Sequence, residues 1–269
     1  MILGILTALG TTAAIIYALQ MPYFQINSIK ISGLVSLDES EIRHKISVLF
    51  DEKIGIFFQR KSFFFLQSER VESDLKSVFP RIAAVSVAKI FPQELSVKIS
   101  ERNLWGIYCN DFKIETPPED RMTEENIKAQ VIEIKAATCA YTDDTGFAYE
   151  SAPASSGSLL LKIHGDGELK IPSPAISEVL VLKMKEFSEM LKNTLGMEIV
   201  GFEFSFQIQR EFRALTSDGF LLWINRDDDF AGVTKVLKTV LDEEIKDRRA
   251  ELEYADLRFG NKVFYRYRQ

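Results

Sequence analysis

Phe91-Pro92-Gln93-Glu94 joins the two stretches that decide the fold: Ile82-Ala-Ala-Val-Ser-Val-Ala-Lys-Ile90 before it, and Glu94-Leu-Ser-Val-Lys-Ile-Ser-Glu101 running out of it. In the second stretch Leu95, Val97 and Ile99 alternate with Ser96, Lys98 and Ser100. That is the period-two pattern of a strand with one face in a core. The first stretch reads as its strand partner. Upstream, Ile29 and Ile31 alternate with Ser28, Lys30 and Ser32, and Gly33 closes a third strand. Two helices are predicted between these strands. Ser36 or Asp38 caps the first, whose Ile42, Ile46 and Leu49 fall on one face. The second carries Val71, Leu75 and Val78 and stops at Phe79-Pro80, because a residue before proline avoids helical backbone. Residues 54–65 are aromatic-rich without a clear period. The order β-α-α-β-β from Gln25 to about Arg102 predicts a small α+β layer, three strands with two helices on one face.

Residues 103–269 predict a mixed β-sheet with flanking helices. Strands are expected at 104–110, 131–134, 138–142, 147–149 and 159–163, with Asp143-Asp144-Thr145-Gly146 as a hairpin turn. Residues 111–130 are polar and contain Pro117-Pro118, which reads as a loop or a poorly ordered excursion. A helix is expected over 174–195, with Leu180, Met184, Phe187, Leu191 and Leu195 inward and Gly196 as its C-cap. Strands come next at 202–208, 211–216 and 220–224, then a helix over 229–250. The last two strands, 253–259 and 262–268, are joined by Gly260-Asn261.

The first 29 residues carry no charged side chain, and residues 2–19 are mostly Ile, Leu and Ala. A helix needs ~20 apolar residues to cross the hydrocarbon of a bilayer, and this run just reaches that length. It is too long for a cleaved leader, and Gln20-Met21-Pro22-Tyr23 is a poor cleavage site. Tyr17 and Tyr23 stand where interfacial aromatics lie. The expectation is an N-terminal transmembrane helix and a single-pass protein of the cell membrane. The domains are then 1–21 as anchor, 22–102 as the small α+β domain and 103–269 as the β domain.

With 33 Lys and Arg against 39 Asp and Glu, the net charge is −6, so the chain as a whole repels phosphate backbones. No nucleic-acid partner is expected. Two cysteines, Cys109 and Cys139, and two histidines, His44 and His164, do not make a zinc site of paired ligands. The cysteines fit either buried thiols or one disulfide, depending on compartment. Asp144-Thr145-Gly146 matches the aspartic-protease triplet, but that chemistry needs two carboxylates sharing a proton and only one copy exists. A hairpin turn accounts for it. His164-Gly165-Asp166-Gly167 lacks a nucleophile elbow, and Asp227-Asp228-Asp229 lacks the glycine and distal glutamate of a calcium loop. The expectation is a protein that is not an enzyme, with no catalytic residue, no metal, no cofactor and no small-molecule substrate.

The most informative polar stretch is C-terminal. Arg258, Phe259, Lys262, Phe264, Tyr265, Arg266, Tyr267 and Arg268 interleave basic and aromatic residues. Stacking on a nucleic acid and a plain half-buried strand both fit this pattern. The reading preferred here is an edge strand that accepts a partner's strand, since backbone bonds give affinity and edge Lys and Arg discourage indiscriminate pairing.

The order of elements resembles the FtsQ/DivIB family of bacterial cell-division proteins: one membrane helix, a POTRA domain, then a β domain. The residues that carry the likeness are Ile29-Lys-Ile-Ser-Gly33, Phe79-Pro80-Arg81-Ile82 with Val85-Ser-Val87, and Phe91-Pro92 running to Glu101-Arg102. In the β domain they are Tyr141-Thr-Asp-Asp-Thr-Gly146 with Phe147, and Tyr254-Ala-Asp-Leu-Arg-Phe259. The resemblance implies a divisome scaffold at the division septum, with most of its chain outside the cytoplasm. It also implies partners of the FtsB/DivIC and FtsL type. Carried over by motif, the partner-binding candidates are Arg258, Phe259, Lys262, Val263, Phe264, Tyr265 and Arg266. Reversing the charges of Arg258 and Arg266 is expected to weaken capture while leaving the fold intact. A POTRA-containing secretion or envelope-assembly factor is the alternative class.

Overall fold

The computed structural model describes residues 9–11, 17, 21–54, 58–115, 130–153, 159–208 and 210–268. The chain divides into two compact units, Met1–Arg102 and Asn103–Gln269. The expected membrane helix at residues 2–19 lies almost wholly outside the described residues. Among the described residues no helix is long and apolar enough to cross a membrane.

The first unit begins with a 3-10 turn, Pro22–Phe24, and β1, Ser28–Ser32. Helix α1 is Glu39–Phe50, and Asp38 rather than Ser36 caps it, accepting from the Ser40 N–H. A small hairpin, β2 Lys53–Ile54 with β3 Phe58–Gln59, occupies part of the aromatic-rich stretch. Helix α2 is Ser68–Val78, and β4 Ile82–Ile90 and β5 Glu94–Glu101 have the bounds read from the sequence. The sheet order is β1-β5-β4, with β1 parallel to β5 and β4 antiparallel to it. Ile42, Ile46, Val71 and Leu75 from the helices bury against Leu95, Val97 and Ile99 from the central strand. Gly33 has φ 86°, and a side chain there would collide with the Ile99 carbonyl.

The turn after Gly33 is organised by one carboxylate. Glu101 accepts from the N–H groups of Val35, Ser36 and Leu37 and from Ser36 Oγ. Partial burial pushes its pKa up, but these four donors outweigh burial and hold it at about 2 against an ordinary 4.5. A carboxyl depressed by folding stabilises fully above its unfolded pKa and loses that contribution as pH falls through the folded one. Stability of this unit is therefore expected to drop between about pH 4.5 and pH 2. A Glu101→Gln variant should be less stable at neutral pH and lack that acid limb in a pH series of thermal melts.

The second unit is a ten-stranded sheet of order β10-β8-β7-β6-β9-β11-β12-β13-β14-β15. Its strands are β6 Leu104–Glu115, β7 Gln130–Asp143, β8 Phe147–Ala152, β9 Lys162–Gly165 and β10 Ser173–Pro174. Then come α3 Glu178–Leu195, β11 Ile199–Phe204, β12 Glu211–Thr216 and β13 Leu221–Asn225. The chain closes with α4 Phe230–Val240, β14 Leu252–Phe259 and β15 Lys262–Tyr267. One face of the sheet supplies Tyr108, Ile163, Phe202, Phe212, Leu222 and Ala255 to a core completed by Met184, Phe187 and Leu191 of α3 and Val233 and Leu237 of α4.

Several expectations need correction. Residues 111–115 continue β6 rather than opening a loop, and residues 130–143 form one strand rather than two. Residues 116–129 lie outside the described residues. β11 ends at Phe204, although alternation continues to Ile208. The reason is Asp166, which accepts from Ser205 Oγ (2.5 Å) and the Phe206 N–H (2.7 Å) and turns the chain away. The helix expected over 229–250 keeps α geometry only to Val240. It continues as a π turn, Leu241–Ile245, and a 3-10 turn, Lys246–Glu251, around Lys246 at φ 52°.

Cys109 and Cys139 face each other across β6 and β7 and are joined by a disulfide spanning 30 residues. They lie in a small cluster with Ile107, backed by Tyr141 and Ala152, while Tyr108 points into the main core. On the chain-entropy account a bridge of this span adds about 3–4 kcal/mol. Reductant should lower the unfolding midpoint of this unit accordingly, and a Cys109→Ser, Cys139→Ser variant should melt at the reduced value with or without it.

Candidate functional site

β15 is the last strand of the large sheet and, among the described residues, pairs only with β14. Its burial alternates: Val263, Tyr265 and Tyr267 pack on the core, while Lys262, Phe264 and Arg266 are exposed. Among the described residues no strand pairs with its outer hydrogen-bonding edge. Arg268 N–H donates to the Glu251 carbonyl at 2.8 Å, so that amide faces β14. Register shifts along this pair fall on the β14 side, and β15 runs regularly. Antiparallel alternation then turns the amides of Arg266 and Phe264 toward β14, and those of Val263, Tyr265 and Tyr267 outward.

The solvated face beside this edge is a layer of stacked cations and rings. Arg213 lies 4.4 Å and Arg258 4.6 Å from the Trp223 ring centre. Trp223 stacks on Tyr254 at 5.3 Å, and Arg266 lies 5.3 Å from Tyr254. At the hairpin end, Phe259 and Phe264 meet edge to face at 5.1 Å, and each is about half exposed, at 53% and 54%. Gly260 at φ 67° makes that turn possible.

The candidate residues separate into two groups. Phe259, Lys262, Val263, Phe264, Tyr265 and Arg266 lie at the open edge or on the hairpin beside it. Arg258 does not stand free there, which corrects the expectation that it is dispensable for folding. Its Nε donates to Asp256 at 2.8 Å and its other nitrogens reach Asp256 and Glu211. Asp256 is only 6% exposed. The hydrogen bond to Asp256, despite some cost from burial, and the further bond to Glu211 raise the Arg258 pKa. Arg258 neutralises an otherwise buried carboxylate and positions the strand. Arg266 is held more loosely, by Glu253 and the Tyr254 ring at an exposed site.

The sequence reading missed Trp223 and Glu211 and named Tyr254 and Asp256 only within a family motif, not as parts of this face. The available signal was Trp223 itself, a large ring at an outward position of its strand, between core residues Leu222 and Ile224.

The first unit is a three-stranded β1-β5-β4 sheet packed under two helices. Residues 24–102 of it match the family described as POTRA domain, FtsQ-type. That match supports the resemblance to FtsQ/DivIB and fits a scaffold that acts through protein–protein contacts in division. A search of the curated proteins found no match to the chain.

Proposed function

We propose that the chain is a single-pass, membrane-anchored scaffold of bacterial septum assembly, with its bulk outside the cytoplasm. It works by binding other division proteins through the POTRA domain and the open β15 edge, and performs no catalysis. The observation that carries this reading is the FtsQ-type POTRA match over residues 24–102. The uncharged N-terminal run supports the anchor, and the Cys109–Cys139 bridge fits an oxidising compartment. The outward-turned amides of Val263, Tyr265 and Tyr267, without a strand partner among the described residues, suit a partner that adds a strand, with Phe259 and Phe264 gripping its side chains. Such a partner would be of the FtsB/DivIC or FtsL type.

A photo-crosslinking residue at Phe264 in growing cells tests this. The expected adduct is with a division protein of that type. Adducts confined to secretion or outer-envelope assembly proteins would overturn the reading in favour of the other POTRA class.

A further inference from the structure

At the N-terminal end of the POTRA domain three separate segments bring aromatic rings to one exposed place. Tyr23 and Phe24 come from the 3-10 turn, Phe63 and Phe64 from the loop before α2, and Phe91 from the β4–β5 turn. Ring centres lie 5.1 Å apart for Tyr23 and Phe24, 5.2 Å for Phe24 and Phe64, 5.6 Å for Phe63 and Phe91, and 6.1 Å for Phe24 and Phe91. Tyr23, Phe64 and Phe91 are 56%, 48% and 59% exposed, and Met21 stands exposed beside them. Core packing does not account for rings left this open, and an exposed apolar cluster marks a contact surface.

The cluster is built rather than draped. Phe63 N–H donates to the Phe24 carbonyl at 2.8 Å, and Ile26 N–H to the Lys61 carbonyl at 3.0 Å. Gln93 Nε2 donates to the Pro22 carbonyl at 3.2 Å. Lys89 Nζ donates to the carbonyls of Phe63 (2.9 Å) and Leu66 (3.0 Å) and sits 5.2 Å from the Phe63 ring centre. These bonds fix all three segments against one another, so the rings form a platform.

The position of that platform in the chain selects its occupant. The apolar run ends at Leu19, and only Gln20 separates it from Met21. Two residues carry the chain at most about 7 Å to Met21, and the 3-10 turn that follows adds roughly 2 Å per residue. Tyr23 therefore lies within about 11 Å of the end of the run, beside a headgroup layer roughly 5–8 Å thick on each side of a bilayer. If the run spans the membrane, the platform is held at or just beyond headgroup depth, where the amphipathic ring of Tyr23 is favoured and exposed Phe rings insert at the headgroup–acyl boundary. We infer that Tyr23, Phe24, Phe63, Phe64 and Phe91 seat the POTRA domain on the lipid surface beside its own anchor. This fixes the domain's tilt on the membrane in place of a free swing about Gln20. The inference rests on the anchored reading above.

The test uses the full chain in nanodiscs of phosphatidylcholine brominated at a shallow acyl position. Phe91→Trp and, separately, Phe64→Trp place a reporter in the platform, and Tyr17→Trp places one in the apolar run. Emission of the wild-type chain, from Trp105 and Trp223, is subtracted. The expected result is loss of most of the added emission in all three variants, with the platform reporters losing less when the bromines lie deep. Quenching of Tyr17→Trp without quenching of either platform reporter would leave the anchor standing and overturn the seating. Platform reporters shielded only when division proteins are added would likewise overturn it and assign the surface to a protein partner. No quenching in any variant would overturn the anchored reading and the inference together.

Discussion

A Val263→Pro variant should fold and lose its strand-pairing partner. Proline lacks the amide hydrogen that Val263 turns outward, and its ring blocks the approach of a neighbouring backbone. An edge position with its N–H facing solvent is where a sheet tolerates proline. Val263 is only partly buried, so the cost to the core is small. Loss of one backbone bond with its neighbours displaced should weaken capture by about 2 kcal/mol, roughly thirty-fold, measured by titration with the purified partner complex. The melting temperature should move by less than about 4 °C. Lys262→Glu and Arg266→Glu change exposed side chains only and should have much smaller effects. Unchanged affinity in the proline variant would show that the partner binds elsewhere.

The second large effect is expected in stability. An Arg258→Ala variant leaves Asp256 buried without its cation, removes the partner of Glu211 and strips one guanidinium from Trp223. Breaking a largely buried ion pair from one side costs about 3 kcal/mol. Both tryptophans, Trp105 and Trp223, belong to the second unit, so tryptophan emission in denaturant reports that unit alone. Its midpoint should fall strongly. Adding Asp256→Asn should recover part of the loss, because the stranded charge is then gone. A loss below about 0.5 kcal/mol would mean that water already screens Asp256.

The small domain was legible because its signals are local. Leu95, Val97 and Ile99 alternate, Ser36 or Asp38 offers a cap, and Pro80 stops a helix, so strand bounds and helix faces follow from neighbours in the chain. The large domain was less so because distant residues decide its ends. Nothing near Phe206 announces that Asp166, 40 residues earlier, will take its amide and end β11. Residues 241–251 contain no proline or glycine, yet the helix there loosens into π and 3-10 turns around Lys246. β9 reaches Gly165, whose place beneath the Tyr108 ring leaves no room for a side chain, and that neighbour comes from 57 residues away.

The candidate site divides along the same line. The sequence marked a basic and aromatic strand at 262–268 without assigning its faces, and alternation is silent on hydrogen-bonding edges until sheet order is known. Arg258 illustrates the limit. In sequence it is one more base in a basic-aromatic tail, and only the fold brings Glu211 and Trp223 to it from two other strands. The charge that looked free is bound to two carboxylates.

The central proposal is that this chain is a scaffold of the division septum. A fluorescent fusion to the full chain, imaged in dividing cells of the source with the untagged copy depleted, tests it most directly. The account predicts a band at midcell that appears before constriction, and filamentous cells when the chain is depleted without the fusion. Even distribution around the envelope, with normal division after depletion, would contradict it.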